Sequence, residues 1–291
     1  MGVISAFGGV LDGHPKICGG NLATNEIKPV GLTKFRHVFS VSADCFTLKQ
    51  DTFLHLFSKL AWVKLENQLK EPISGASFVK IKESLGWRLG GISKGIPIRN
   101  STEFLSGSDS KPGPDLPSRN IGFSSVKIND STVMIIGGSG KMETRTYFFD
   151  LTDQKWTRGP ELNEVRSAAG AGVLRDHGTN EKLVAVVGGG RLRKEKSMEI
   201  LSLDHQKPKW TLLENLPFGI FGHSVIEFGN DLIIIGGLRS LEIQDPLVSN
   251  DIILRLFCIH GSCHWETLPQ RLQFPRTAAV AIKVPHDMFD A

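Results

Sequence analysis

The hydrophobic pattern of this chain is built from short apolar runs that stop at paired glycines. Val133-Met-Ile-Ile-Gly-Gly138 is the clearest copy. The device recurs as Pro15-Lys-Ile-Cys-Gly-Gly20, Trp87-Arg-Leu-Gly-Gly91, Leu183-Val-Ala-Val-Val-Gly-Gly-Gly190 and Leu232-Ile-Ile-Ile-Gly-Gly237. Taking the first glycine of each pair, Gly19, Gly90, Gly137, Gly188 and Gly236 are separated by 71, 47, 51 and 48 residues. Apolar runs this short and this β-branched predict strands covered on both faces, since a buried helix needs more length. The second glycines, Gly20, Gly91, Gly138, Gly189 and Gly237, supply backbone freedom where each strand ends at a crowded point.

The segments downstream of the glycine pairs repeat as well. After Gly138 come Thr146-Tyr-Phe-Phe-Asp-Leu151, a polar turn, Lys155-Trp156-Thr157 and Gly159-Pro-Glu-Leu162, which reads as an exit turn. The counterparts after Gly190 are Met198-Glu-Ile-Leu-Ser-Leu203, Lys209-Trp-Thr-Leu212 and Asn215-Leu-Pro217. After Gly237 they are Ile252-Ile-Leu-Arg-Leu-Phe257, His264-Trp-Glu-Thr267 and Leu268-Pro269. Glycine pair, hydrophobic strand, Trp and Leu-Pro therefore keep one order three times. A period near 50 residues matches repeat architectures in which one unit cannot bury its own faces.

This order resembles the kelch repeat, with Tyr147, Trp156, Trp210, Trp265 and the glycine pairs as the repeat-defining positions. The resemblance runs from about Ser5 to the C-terminus. It implies an all-β, kelch-type β-propeller with about five recognisable four-stranded blades, formed as one domain over residues 1–291. The first blade is longer than the period by an insertion at about 21–42. The second lacks the Trp and passes quickly into Lys111-Pro-Gly-Pro-Asp-Leu-Pro117, so its outer part is expected to be short. Arg276-Thr-Ala-Ala-Val-Ala-Ile-Lys283 reads as one more inner strand. With no obvious strand left near Met1 for it to join, the expectation is five blades of an incomplete six-blade ring.

The 31 glycines and the scarcity of long amphipathic helical patterns agree with an all-β chain. A net charge of +4, from 34 basic against 30 acidic residues, gives no reason to expect nucleic acid as a partner. No uninterrupted apolar stretch of about 18 residues predicts a membrane span. The segment Met1-Gly-Val-Ile-Ser-Ala-Phe-Gly-Gly9 has neither the basic region nor the apolar length of a secretory signal.

Candidate chemistry is sparse. Cys258 and Cys263 flank a short turn, and Cys18 and Cys45 sit in neighbouring predicted strands; two local disulfides, favouring an extracellular setting, stand against four reduced thiols. Asn100-Ser-Thr102 and Asn129-Asp-Ser131 match the glycosylation triplet, and Asn129-Asp130 also fits a hairpin turn. A copper centre like that of galactose oxidase, which shares the propeller type, needs two tyrosines; this chain has one, Tyr147. His223 opens an inner strand and reads as a packed or capping residue before it reads as a base. Arg166 and Arg276 each precede an inner strand, either lining the channel or forming structural salt bridges. The expectation is a non-enzymatic protein-interaction module without cofactor or metal, monomeric if the ring closes, with the protein partner unnamed. The alternatives are a propeller that binds or processes glycans at its channel mouth, and a truncated inactive fragment.

Overall fold

The computed structural model describes residue 69 and residues 72–281, apart from 94–96, 107–108, 140–142, 191–195, 205–207, 214–215, 241–247 and 279. It also gives the backbone of seven strands before residue 65. Every element among the described residues is a strand, and the sheets are arranged as the blades of a β-propeller. No helix among these residues is long and apolar enough to cross a membrane.

In the first blade, β2 (Phe7–Leu11), β3 (His14–Cys18), β6 (Cys45–Asp51) and β7 (Lys59–Lys64) lie in that order. A small sheet of β1 (Val3–Ile4), β4 (Asn21–Ala23) and β5 (Phe39–Val41) accompanies it. The second blade is β8 (Ser77–Lys82), β9 (Leu85–Leu89), β10 (Thr102–Ser106) and β11 (Asp109–Gly113). The third is β12 (Ser124–Lys127), β13 (Thr132–Ile136), β14 (Thr146–Asp150) and β15 (Lys155–Arg158). The fourth is β16 (Gly170–Arg175), β17 (Lys182–Val187), β18 (Met198–Ser202) and β19 (Trp210–Leu213). The fifth orders β21 (Ser224–Phe228), β22 (Asp231–Ile235), β24 (Val248–Ile259) and β25 (Ser262–Arg276), with β20 (Gly219–Phe221) and β23 (Leu238–Ser240) extending it at one end. The innermost strands β2, β8, β12, β16 and β21 follow one another side by side.

The apolar runs of β13 and β17 are continuous because these second strands are sandwiched, whereas in β22 Leu232 and Ile234 are buried and Ile233 and Ile235 only half-buried. In β13, Val133 and Ile135 pack toward the second blade with Trp87, Leu89 and Phe149, whereas Met134 and Ile136 pack toward the fourth with Val184, Val186 and Trp210. In β17, Leu183, Ala185 and Val187 turn the other way, onto Leu232, Ile234 and Leu254 of the fifth blade. Alternate residues of one strand thus enter two different cores, so neither parity of the strand is polar.

The glycine pairs are where one blade receives the next. The N–H of Gly91, Gly138, Gly189 and Gly237 donates to the carbonyl of Asn120, Arg166, Ile220 and Arg276, at 3.2, 2.7, 2.8 and 2.7 Å. Asn120, Arg166 and Ile220 lie on the chain that leads into the following inner strand, and Arg276 ends β25. Gly137 shows why the position is glycine: its φ is +65°, and a Cβ there would overlap the backbone carbonyl of Arg166. Gly138, at φ +118°, leaves no room beside the Asn120 amide. The tryptophans of the fourth strands make a second tie between blades. Trp156 Nε1 donates to the Asp115 carbonyl (2.8 Å) and Trp210 Nε1 to the Pro160 carbonyl (3.1 Å), in each case on the exit turn of the preceding blade.

Two expectations differ from the structure. The second blade is not shortened: β11 completes it, with Pro112 on the outermost strand, where a missing N–H removes no ladder bond. Leu268-Pro269 is not an exit turn, because β25 runs through it to Arg276 as an edge strand. Gly19 and Gly20 lie outside the described residues, as do 24–38, most of the expected insertion. In the segment 276–283, Ala278 N–H donates to the Gly222 carbonyl (2.7 Å), repeating the bond from Ala168 to Gly122. Its residues 279, 282 and 283 lie outside the described residues.

Candidate functional site

The inner strands β8, β12, β16 and β21 start at the glycine-pair end of the propeller and finish at the opposite end, where hairpin loops of two to six residues lead into the second strands. At that hairpin end lies a cavity of about 590 Å³, walled by β8, β12, β16 and β21. Lys80, Lys82 and Lys127 line it, together with Glu83 and Glu227. Lysines here also tie blades together: Lys127 Nζ donates to the Ile81 carbonyl (2.9 Å) and Lys182 Nζ to the Ile128 carbonyl. The carboxylates that pair with Lys80 and Lys127, Glu83 (2.7 Å) and Asp130 (2.8 Å), stand further into solvent than their lysines. Lys80 and Lys127 therefore sit deeper than the carboxylates they pair with.

Glu227 comes from the fifth blade and accepts the Val173 N–H of the fourth at 2.8 Å. Water reaches its side chain, yet the surrounding walls desolvate it and raise its carboxyl above the ordinary range, against the lowering effects of the Val173 bond and Lys182. Two large apolar side chains are exposed at this end, Phe228 (59 %) at the foot of β21 and Ile259 (40 %) at the foot of β24.

A clasp between the fourth and fifth blades lies at the same end. Asp176, in the β16–β17 loop, accepts four backbone N–H groups: those of Gly178 and Thr179 beside it, and those of His260 and Gly261 in the β24–β25 turn. Burial acts to raise its pKa, but these four donors outweigh burial and hold the carboxyl well below the usual range. Asp231 of β22 answers in the other direction. It meets His177 Nε2 of the fourth blade at 2.7 Å and Arg255 Nε at 2.7 Å, and Arg255 continues to Glu266 at 3.0 Å. No sequence motif announces this clasp, because its two carboxylates are 55 residues apart and meet only through the stacking of blades.

At the glycine-pair end, Arg166 is fully buried. Its guanidinium donates to Glu199 (3.2 Å), to the Gly188 and Ser197 carbonyls (3.0 and 3.1 Å), to Ser197 Oγ (3.0 Å) and to Glu164 (3.1 Å). Of the two roles open to it, the structure assigns the internal ion pair. The second blade has a counterpart in Arg88, which meets Glu103 (3.3 Å) and the Gly90 and Ser101 carbonyls. Arg276, by contrast, has an exposed side chain, and its carbonyl serves the Gly237 bond.

His223 is packed between Gly170 and Gly237 at the start of the fifth inner strand, and neither ring nitrogen has a hydrogen-bond partner among the described residues. Burial lowers its pKa from 6.5 to about 4. The neutral ring is thus the folded form: the unfolded chain takes up a proton below pH 6.5, while the folded chain resists until about pH 4. Stability is full above pH 6.5 and falls between these values by up to about 3 kcal/mol. Urea unfolding midpoints at pH 7.5 and pH 4.5 should show this slope in the wild-type chain and a shallower one in His223→Leu. An unchanged slope would place the acid sensitivity elsewhere.

Cys258 and Cys263 are joined as a disulfide across β24 and β25, opposite one another in register. Backbone register also places Cys18 opposite Cys45, whose side chains lie outside the described residues. Tyr147, on β14, packs against the core that holds Trp87 and Phe149, and Trp265 packs partly buried on the core of the fifth blade. Asn129 sits at the β12–β13 turn and its Oδ1 accepts the Ser131 N–H, as the turn reading expects. No group of three or more His, Cys, Asp or Glu side chains among the described residues is arranged to hold a metal ion.

No protein-family model matches the chain. It is 27% identical to the spermatocyte protein spe-26 of Caenorhabditis elegans over 56% of its own length and 27% of that protein's. It is 20% identical to the kelch repeat-containing protein kel-10 of the same organism, over 90% of its own length and 46% of the relative's. Rat Kelch-like protein 41 is 28% identical over 39% of this chain and 19% of its own length. The chain thus spans less than half of these relatives. Among solved structures, YjhT superposes with a TM-score of 0.68 and 14% identity, covering 97% of this chain and 88% of YjhT, which is a likeness of fold.

Proposed function

Because the chain is a kelch-repeat β-propeller, we propose that it acts as a non-enzymatic protein-binding module whose docking face is the hairpin end. The observation that carries this reading is the pairing of two features on one rigid face: exposed Phe228 and Ile259, and the lysine-lined mouth of the channel. An aromatic anchor ringed by polar groups is the usual make-up of a protein-binding hot spot. The third and fourth blades are packed on both faces, and the fifth is packed against the fourth through Leu232, Ile234 and Leu254, so the surface is preformed and little ordering is lost on docking.

The test is quantitative affinity capture from cells that express the chain naturally, with the wild type beside a Phe228→Asp/Lys82→Glu double variant. Both residues are exposed, so the variant should melt within about 2 °C of the wild type. The proposal expects a specific protein to be enriched by the wild type and reduced at least about tenfold with the variant, the scale of losing one hot-spot side chain. Equal enrichment by both would move the docking face elsewhere. A glycan retained in place of any protein would overturn the protein-binding reading.

A further inference from the structure

We propose that the Cys258–Cys263 disulfide is a redox-responsive latch that decides how tightly the β16–β17 loop is held to the fifth blade. The inference stands independently of the docking partner, although the latch borders the same face.

Three observations carry it. First, the disulfide closes the β24–β25 hairpin one residue pair, Ile259–Ser262, before the two-residue turn His260-Gly261, and both N–H groups of that turn point at the Asp176 carboxylate, at 2.9 and 2.7 Å. Both turn residues have positive φ, +50° and +81°, so the backbone there holds a conformation costly for histidine, and the clasp depends on it. Second, the loop is fastened at the disulfide residue itself: His177 N–H donates to the carbonyl of Cys258 at 2.8 Å, and Gly178 lies against the His260 ring. Third, the two cysteines differ in access. Cys258 is fully buried and Cys263 is partly exposed, so an incoming thiolate has one sulfur to attack.

The chemistry balances with an external dithiol. Its thiolate attacks Sγ of Cys263, the S–S bond breaks, and Cys258 leaves as a thiolate that takes up a proton. The second thiol of the reagent then displaces Cys263, which is protonated in turn. The protein gains two electrons and two protons, and the reagent becomes a disulfide. The reduced hairpin loses its covalent clamp at the point where the turn must present two N–H groups to Asp176. The His260 and Gly261 donors are then no longer held on the buried carboxylate beside those of Gly178 and Thr179, and the loop 176–181 loosens together with residues 258–263.

Hydrogen exchange read by mass spectrometry on the whole chain tests this, comparing oxidised protein with protein reduced by dithiothreitol and then alkylated. Peptides covering 176–181 and 258–263 should exchange at least about tenfold faster after reduction, as for a local opening made easier by one decade in its equilibrium. Peptides of β13 should not change. A Cys18→Ser/Cys45→Ser variant should respond as the wild type does, which assigns the effect to the other pair. Asp176→Asn, which keeps the disulfide, should lower the melting temperature of the oxidised chain and have a smaller effect on the reduced one. Unchanged exchange in both peptides with Cys258 and Cys263 demonstrably alkylated would overturn the proposal. So would acceleration spread evenly over all blades, or equal losses from Asp176→Asn in the two redox states.

Discussion

Replacing Arg166 by alanine should destabilise the folded chain by about 3–5 kcal/mol, the cost of leaving a buried charge without its partner. Glu199 is itself fully buried, and the guanidinium also satisfies the carbonyls of Gly188 and Ser197. Removing it strands all of them at the seam between the third and fourth blades. For a domain of this size the loss corresponds to a fall of roughly 10 °C in melting temperature. Lysine should restore little, since a point charge cannot satisfy the carbonyls and the carboxylates together as the planar fork does. A melt within about 2 °C of the wild type would mean that water replaces the network at little cost, and the ion pair would lose its structural role.

Gly137→Ala should cost about 4 kcal/mol through three additive causes. A non-glycine residue in the left-handed region costs about 1–2 kcal/mol. The added Cβ overlaps the Arg166 carbonyl, which as backbone cannot rotate away, and overpacking of this kind costs about 1–3 kcal/mol. Displacing that carbonyl also weakens the Gly138 N–H bond that joins the blades, for about 1 kcal/mol more. Equilibrium urea unfolding measures the total. Gly229, which has φ +63° but no described atom within 4 Å of a new Cβ, provides the control: Gly229→Ala should show the conformational part alone. Equal losses at the two sites would refute the close-approach account.

The contrast between those two glycines indicates what was legible in the sequence. A pair of glycines after an apolar run announces backbone crowding, and repetition near 50 residues announces stacked units, so the blade pattern could be read from residue order. The outer half of the second blade could not. Pro112 was a reason to expect a shortened sheet, yet an outermost strand has no neighbour that needs its N–H, and the strand forms. Leu268-Pro269 misled in the same way, because a proline in an edge strand leaves the strand intact. The hairpin cysteines were legible as a local pair, since a turn of a few residues brings their backbones together whatever the rest of the fold does.

Side chains that act between blades were beyond reach. Arg166 stood equally for a channel-lining group and for an internal ion pair until Glu199, 33 residues on, was placed beside it. Asp176 and Asp231 carried no signal at all, because a carboxylate in a turn is ordinary until the neighbouring blade brings donors to it. Residue order determined the strands, their repeat and the crowded glycine turns, all of which follow from local sterics and the alternation of apolar side chains. The charged seams between blades, the burial of His223 and the lysine-lined mouth were decided only by tertiary structure, since each depends on which residues of separate repeats come to face one another.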